Sequence, residues 1–144
     1  NEKDMIDAIK RYFHRYYKDL RIMTYKEAIT KSGRRPDIIF IQSRRDILHV
    51  IEVEPTLSRA FSKDHGFAQL RKYKENYKWI AIPKDEWLEN VEYKIDRKCK
   101  KEGIGLLIVS GTKRFRVTEE IQPVYIRGDF LPYYKKDVES YWYE

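Results

Sequence analysis

The sequence predicts a mixed α/β fold, in which helices flank a mixed β-sheet, and three observations support this prediction. Residues 2–20 place apolar side chains at spacings of three and four, the pattern of an amphipathic helix. Short apolar runs at residues 38–41, 47–53 and 104–110 are typical of strands covered on both faces. Helical spacing returns at residues 58–77, between two of these runs. Helices packed on a sheet are the arrangement that buries such runs.

The other elements give the order helix, three strands, helix, strand, helix, strand and tail. These expected elements are a strand within residues 22–30, a turn at 44–46, a strand over 78–83, a helix over 84–102 that ends at Gly103, and a strand within 113–121. No linker or repeat divides the sequence. We therefore expect one domain over residues 1–144, with an aromatic, irregular tail from about residue 122.

The chain carries an excess of basic residues that is spread over its whole length. Thirty Lys and Arg against 23 Asp and Glu give a formal net charge of +7 and a pI of about 9.3. A basic surface attracts polyanions, and nucleic acid is the commonest of these in a cytosol. We therefore expect DNA as the partner. The alternative is a solvated, charge-rich surface without a partner.

The composition disfavours several other classes of protein. No stretch approaches the roughly 18 uninterrupted apolar residues of a membrane span, so we expect no membrane partner. Neither a Walker loop nor G-x-G-x-x-G occurs, so a nucleotide cofactor has no support. The single Cys99 cannot form an intrachain disulfide, which fits a reducing, cytoplasmic location. Scarce Gln, Asn, Cys and Met with abundant Lys, Arg and Glu resemble the bias of thermophile proteins.

Three carboxylates stand at the ends of two predicted strands. Asp37 begins the strand at residues 38–41, while Glu52 and Glu54 close the strand at 47–53. Side chains two apart on a strand share a face, and a hairpin that splays at this end brings all three acids together. Buried carboxylates repel one another, and a divalent cation relieves that repulsion. Mg²⁺ or Mn²⁺ suits such oxygen ligands; the alternative is a set of exposed acids without function.

Two further polar residues follow on the predicted helix at residues 58–77. Gln69 and Tyr73 are four apart, which places them on one helix face. They either face the metal site or a phosphate, or they are a surface amide and a core tyrosine.

The segments "RRPDIIFI", "ILHVIEVE" and "AQLRKY" together resemble the PD-(D/E)XK nuclease superfamily, which has the restriction-endonuclease-like fold with an αβββαβ core. The resemblance implies a metal-dependent DNA endonuclease. It makes Asp37 the motif aspartate, Glu52 the first acid of the E-x-K pair, and Gln69 and Tyr73 the Q-x-x-x-Y helix signature. Asp37 and Glu52 would bind Mg²⁺ or Mn²⁺. A further acid often joins such sites, and Glu27 is the candidate ligand, ahead of Glu2 or Asp4 in the first helix.

The sequence departs from this family at Glu54, where most members have lysine. Some restriction enzymes have a second glutamate there, and Glu54 would then bind metal or act as general base. The segment "EVEPTLS" also resembles mobile-element replication-relaxation proteins, which share the nuclease-like fold. The alternative function is therefore a non-cleaving DNA-binding module in replication or in plasmid or virus maintenance.

Basic residues near the motifs are expected to contact DNA phosphates, or else to be solvated charges in turns. They are Arg34, Arg35, Arg44, Arg45, Lys63 and Lys72. Lys63 or Lys72 would also supply the cation that the motif lacks. Cleavage of both strands needs two sites, so a homodimer is possible. The aromatic tail, at Tyr133, Tyr134, Tyr141, Trp142 and Tyr143, either forms that interface or folds back onto its own core.

Overall fold

The computed structural model describes residues 1–23, 36–42, 44–133 and 140–142. A seven-stranded sheet forms the centre of the molecule, with the strand order β6-β5-β4-β3-β2-β1-β7. The strands are β1 Leu20–Met23, β2 Ile38–Gln42, β3 Ile47–Val53, β4 Tyr77–Pro83, β5 Gly105–Ser110, β6 Arg116–Ile121 and β7 Ser140–Trp142. Strands β3, β4 and β5 run parallel, and the other pairings are antiparallel. The predicted mixed α/β class is confirmed.

Five α-helices flank the sheet in the described part of the chain. They are α1 Glu2–Tyr16, α2 Leu57–Ala60, α3 Gly66–Leu70, α4 Lys84–Glu89 and α5 Ile95–Glu102. Short 3₁₀ turns cover Val91–Tyr93 and Leu131–Tyr133. Within the described residues, no helix combines the length and apolarity that crossing a bilayer requires.

Two expected helices are each divided in the structure. The segment 58–77 contains α2 and α3, because Gly66 adopts a left-handed φ of 53° beside the Ala60 carbonyl. The segment 84–102 contains α4 and α5, because Lys94 adopts a left-handed φ of 50° between them. Those two predictions of continuous helices were wrong. Gly103 ends α5 in the left-handed conformation, as expected.

The ends of the chain also differ from expectation. Helix α1 stops at Tyr16 rather than at residue 20, and Asp19, with a φ of 58°, turns the chain into β1. The expected first strand at residues 22–30 therefore starts earlier, and most of that segment lies outside the described residues. Near the carboxyl terminus, Ser140–Trp142 adds an edge strand beside β1. The tail thus contains a strand as well as irregular structure.

Each face of the sheet has its own apolar core. On one face, α1 places Ile9 and Phe13 against Phe40 and Trp79, all nearly inaccessible to solvent. On the other, α2, α3 and α5 cover the side chains of β2 to β5; the residues they contribute include Leu57, Leu70 and Cys99. Burial on both faces explains why these strands read as continuous apolar runs.

Candidate metal centre

The hairpin of β2 and β3 brings three carboxylates together at one edge of the sheet. Asp37 immediately precedes β2, and its Oδ2 accepts a hydrogen bond of 2.8 Å from the backbone nitrogen of Val53. Glu52 lies near the end of β3, and Glu54 directly follows the strand. One ligand oxygen from each of Asp37, Glu52 and Glu54 lies within 4.8 Å of the other two. The convergence expected from the sequence is therefore present.

The acids line a small pocket of about 230 Å³. Glu52 is 6% exposed and Glu54 is 2% exposed, which is unusual for charged side chains. The other residues that line the pocket come from α1, β3, α2, α3 and the connection between α2 and α3. They are Glu2, Val53, Arg59, Asp64, His65 and Gln69.

Glu54 is held in place by two donors that follow it in sequence. The backbone nitrogen of Gly66, the first residue of α3, donates to Glu54 Oε1 at 3.2 Å. The Arg59 Nε of α2 lies 3.3 Å from Glu54 Oε2 and forms an ion pair with it. Pro55 ends the strand, and the short helices then fold back over its last residues. The cation nearest to Glu54 is therefore Arg59, whereas the sequence had suggested Lys63 or Lys72.

Glu52 has fewer partners than its burial demands. Its Oε1 is inaccessible to solvent and has no hydrogen bond partner among the described residues. A hydrogen bond joins its carboxyl group to that of Asp37, which requires one of the two groups to carry a proton. Buried polar atoms in native proteins nearly always have a partner. A buried carboxylate with such an oxygen, close to two further carboxylates, could hold a cation.

Burial and mutual repulsion perturb the acidity of all three carboxyl groups. Desolvation, followed by the nearby charge of Asp37, raises the pKa of Glu52 well above its ordinary value. The same two causes raise the pKa of Glu54 to about 7. Desolvation also raises the pKa of Asp37, although its hydrogen bonds to Glu52 and Val53 oppose that change. The three acids thus oppose one another's ionisation, and a cation bound between them would relieve that opposition.

The Q-x-x-x-Y pair contacts the acids as a connected chain. Gln69 Nε2 donates to the Tyr73 hydroxyl at 2.8 Å, and Tyr73 in turn hydrogen bonds to Glu52. Gln69 also lines the pocket. Tyr73 is only 2% exposed and lies beyond the end of α3, so the two side chains meet without a continuous helix between them. The structure thus brings both residues to the acidic site.

Two further acids, Glu2 and Asp64, line the pocket, and Glu2 comes from the first helix. Glu2 lines the pocket, and burial together with the charge of Asp37 raises its pKa. Sequence reasoning had preferred Glu27, which lies outside the described residues together with Arg34 and Arg35. Sequence reasoning missed Arg59, Asp64 and His65. Their only sequence signal is proximity to the E-x-E motif along the chain.

The remaining basic candidates divide into two groups. Lys63 is exposed in the connection between α2 and α3, and Lys72 is exposed just after α3. Arg44 and Arg45 lie on the β2–β3 turn, at the opposite end of the hairpin from the acids. The length of β3 separates them from the acids by roughly 20 Å, and Arg44 pairs with Asp19 at 3.1 Å. The structure therefore does not bring these two arginines near the site.

No family model, no curated protein and no solved structure matches this chain. The site therefore has to be interpreted from its own chemistry. Three oxygen ligands, one of them buried without a partner, fit a hard divalent cation such as Mg²⁺ or Mn²⁺.

Proposed function

We propose that this protein is a Mg²⁺- or Mn²⁺-dependent DNA endonuclease of the PD-(D/E)XK type, with an E-x-E variant of the motif. The observation that carries the proposal is the buried convergence of Asp37, Glu52 and Glu54, in which one Glu52 oxygen lacks a partner. The order of α1 to β5, with β3, β4 and β5 parallel, supports a restriction-endonuclease-like core. The net charge of +7 supports DNA as the partner.

The metal ligands in this proposal are Asp37 and Glu52. Glu2 lines the same pocket and takes the place of Glu27 as the candidate for a further ligand. Carboxylate oxygens suit Mg²⁺ and Mn²⁺. When bound, the ion would polarise a phosphate and lower the pKa of a water molecule. The described groups around the acids hold them in place: the Val53 amide orients Asp37, and Tyr73 contacts Glu52.

Glu54 accepts a proton from the attacking water in this proposal. Its carboxylate lines the pocket beside Asp37 and Glu52, and the Gly66 amide and Arg59 fix its orientation. Arg59 also returns to the site the positive charge that the usual motif lysine would bring. Because an arginine remains charged at all relevant pH values, it balances one acid and does not act as a base itself.

A second function has specific support from the same ion pair. The ion pair with Arg59 neutralises the charge of Glu54 without any metal, so one of the three carboxylates already has a positive partner. A DNA-binding module on the same fold, which does not cleave and acts in replication or in plasmid or virus maintenance, would use this arrangement as a structural contact.

Assembly and location complete the proposal. Cleavage of both strands requires two centres, so a homodimer remains a prediction. Residues 140–142 pair with β1, which favours the alternative that the tail folds back onto its own sheet. A cytoplasmic location agrees with Cys99, the chain's single cysteine, being a buried free thiol.

A cleavage assay with matched Glu54 variants separates the two functions. Plasmid, branched and single-stranded DNA are incubated with Mg²⁺, Mn²⁺ or EDTA, and DNA affinity is measured separately in EDTA. We expect metal-dependent cleavage by the wild type. Glu54→Gln keeps the shape of the side chain but not its charge, so cleavage should fall by about 10²-fold or more while DNA binding persists.

A second variant reverses the charge of Glu54 and tests whether the usual motif lysine would restore cleavage. Glu54→Lys places a cation beside Arg59 and repels the metal, so it should also lose cleavage. Undiminished cleavage by Glu54→Gln would contradict the role of Glu54. A wild type that binds DNA without cleaving it, together with a Glu54→Lys variant that gains cleavage, would establish the binding module instead.

A further inference from the structure

A second pocket, of about 570 Å³, lies between α1 and the beginning of β6. We name it the α1–β6 groove. Basic and aromatic side chains dominate its lining: Arg11, Arg15, Tyr12 and Tyr16 from α1, with Phe115 and Arg116 from the β6 side. The metal centre has a different lining, so the groove is a separate surface.

The three arginines of the groove are exposed and carry uncompensated charge. Arg11, Arg15 and Arg116 form no ion pair with a carboxylate in the described ranges, although Arg59 and Arg71 do. Glu119 of β6 accepts hydrogen bonds from the hydroxyl groups of Tyr12 and Tyr17 rather than pairing with one of these arginines. Three unpaired guanidinium groups around one groove fit a ligand with several negative charges, such as a phosphate backbone.

The groove also exposes an aromatic ring. Tyr16 is 63% exposed, its ring lies 4.9 Å from that of Tyr12, and the guanidinium of Arg15 lies 5.6 Å from its centroid. Exposed rings between arginines stack on unpaired bases, whereas the paired bases of a duplex offer no free face. The combination therefore fits a single strand better than a duplex.

Helix α1 and the order of the strands connect the groove to the metal centre. Strands β3, β4 and β5 are parallel, so their carboxyl ends share one edge, and Arg116 pairs with Ser110 at that same edge. Three strand spacings, about 14 Å, separate β3 from β6. Helix α1 starts at the metal centre with Glu2, and Arg11 and Arg15 of the groove lie roughly 14 and 20 Å further along the helix. A strand that leaves the acids would thus follow α1 over this distance to reach the arginines of the groove.

We propose that the α1–β6 groove binds an unpaired DNA strand that extends from the metal centre along α1, so that the substrate is DNA with a single-stranded segment, such as a branch or flap. The arginines bind its phosphates and Tyr16 stacks on a base. This inference deepens the proposed function and depends on it for the identity of the strand as DNA.

The test measures binding of a single-stranded oligonucleotide and of a blunt duplex, by fluorescence anisotropy in EDTA. The groove variant carries Arg11→Gln, Arg15→Gln and Arg116→Gln. Its control carries Arg97→Gln, Lys100→Gln and Lys101→Gln, which remove three exposed charges from α5 on the opposite face of the sheet. Melting temperatures show whether both variants are folded.

We expect the groove variant to lose single-strand affinity by roughly 100-fold at 0.1 M salt, because each phosphate contact contributes a salt exponent of about 0.7. The control should lose much less. Tyr16→Ala should weaken single-strand binding by about fivefold or more and leave duplex binding unchanged. The matched control for the ring is Tyr125→Ala, whose side chain is 49% exposed and packs on Tyr77 at the other end of β4.

Equal losses in the groove variant and the α5 control would overturn the proposal, since only net charge would then matter. A Tyr16→Ala variant that binds both DNA forms like the wild type would overturn the stacking contact. Because binding is measured in EDTA, these results do not depend on cleavage. If the groove substitutions do not weaken single-strand binding but metal-dependent cleavage is observed, only the groove proposal is wrong. If no cleavage is observed, the nuclease proposal is wrong, whatever the binding result.

Discussion

The carboxyl group of Glu52 combines burial, crowding and an oxygen without a partner. Desolvation and the nearby Asp37 both oppose its ionisation, and its Oε1 receives no hydrogen bond from the described residues. An apolar or amide side chain would fit this position at lower free energy. A residue that destabilises the metal-free fold in this way is expected where function, rather than stability, determines the side chain.

Glu52→Gln should therefore raise the melting temperature of the metal-free protein. Glutamine keeps the shape, removes one charge, and still donates a hydrogen bond to Asp37. We expect a gain of about 1 kcal/mol, roughly 4 °C for a chain of this size, at pH 8 in EDTA. The matched control is Glu102→Gln, which should lower stability slightly, because Arg71 and Lys98 stabilise the Glu102 carboxylate.

The pH dependence of this gain has a definite sign. The pKa of Glu52 is raised in the folded state, so the folded state binds the proton more tightly than the unfolded chain. The stabilisation by that proton is complete below the ordinary pKa of 4.5 and is lost as the pH rises through the folded-state pKa. The advantage of Glu52→Gln should thus be greatest at high pH and vanish near pH 4. A stability advantage of Glu52→Gln that is constant from pH 4 to pH 8 would contradict a raised pKa for Glu52.

At the scale of elements, the strands were predictable and the connections were not. Residues 38–41 and 47–53 are apolar in nearly every position, and they form β2 and β3 with almost those bounds. The helical spacing within 58–77 instead reflects burial against the sheet: Phe67, Leu70 and Tyr73 are buried although only part of the segment is helical. Spacing reports which side chains face the core, whereas a single left-handed residue decides whether the helix continues.

The same distinction explains which site residues were found. Asp37, Glu52 and Glu54 followed from strand alternation and one hairpin, both of which are local rules. Arg59 reaches Glu54 only because the chain reverses at Pro55 and α2 returns over the strand end. Glu2 arrives from the first helix by tertiary packing alone. Neither contact has a signature in sequence spacing.

Gly66→Ala tests how this short connection supports the site. A Cβ at Gly66 would lie 2.2 Å from the Ala60 carbonyl oxygen, and φ is 53°. We expect a loss of about 2 to 4 kcal/mol in unfolding free energy, since both strain and backbone overlap oppose the substitution. Any cleavage activity should also fall, because the Gly66 amide orients Glu54. Chemical denaturation measures the first effect.

The control for this prediction is Gly103→Ala at the end of α5. Gly103 has a similar φ of 70°, but a Cβ there would meet only the Val124 side chain, at 3.2 Å. The loss of stability in Gly103→Ala therefore measures the cost of the left-handed φ alone, without an overlap with backbone atoms. Equal losses at Gly66 and Gly103 would show that the approach of the two helices is not tight.

At the scale of the whole molecule, charge is distributed unevenly around one edge of the sheet. The chain is basic overall, with a net charge of +7, but its acids converge at the carboxyl end of β3. Further along α1, Arg11 and Arg15 line the α1–β6 groove together with Arg116. Phosphate would be repelled by the acids alone. In the proposed function, a divalent cation would neutralise much of that negative charge and so reduce the repulsion of DNA.

The most direct test of this account is the thermal stability of the protein with and without Mn²⁺. A ligand that binds only the folded state stabilises it by about 2.7 kcal/mol at 100 times its dissociation constant, roughly 10 °C here. We predict such an increase for the wild type and for Glu102→Gln, and none for Asp37→Asn, which loses a ligand charge. A wild-type melting temperature that does not change with millimolar Mn²⁺ or Mg²⁺ would contradict the metal centre.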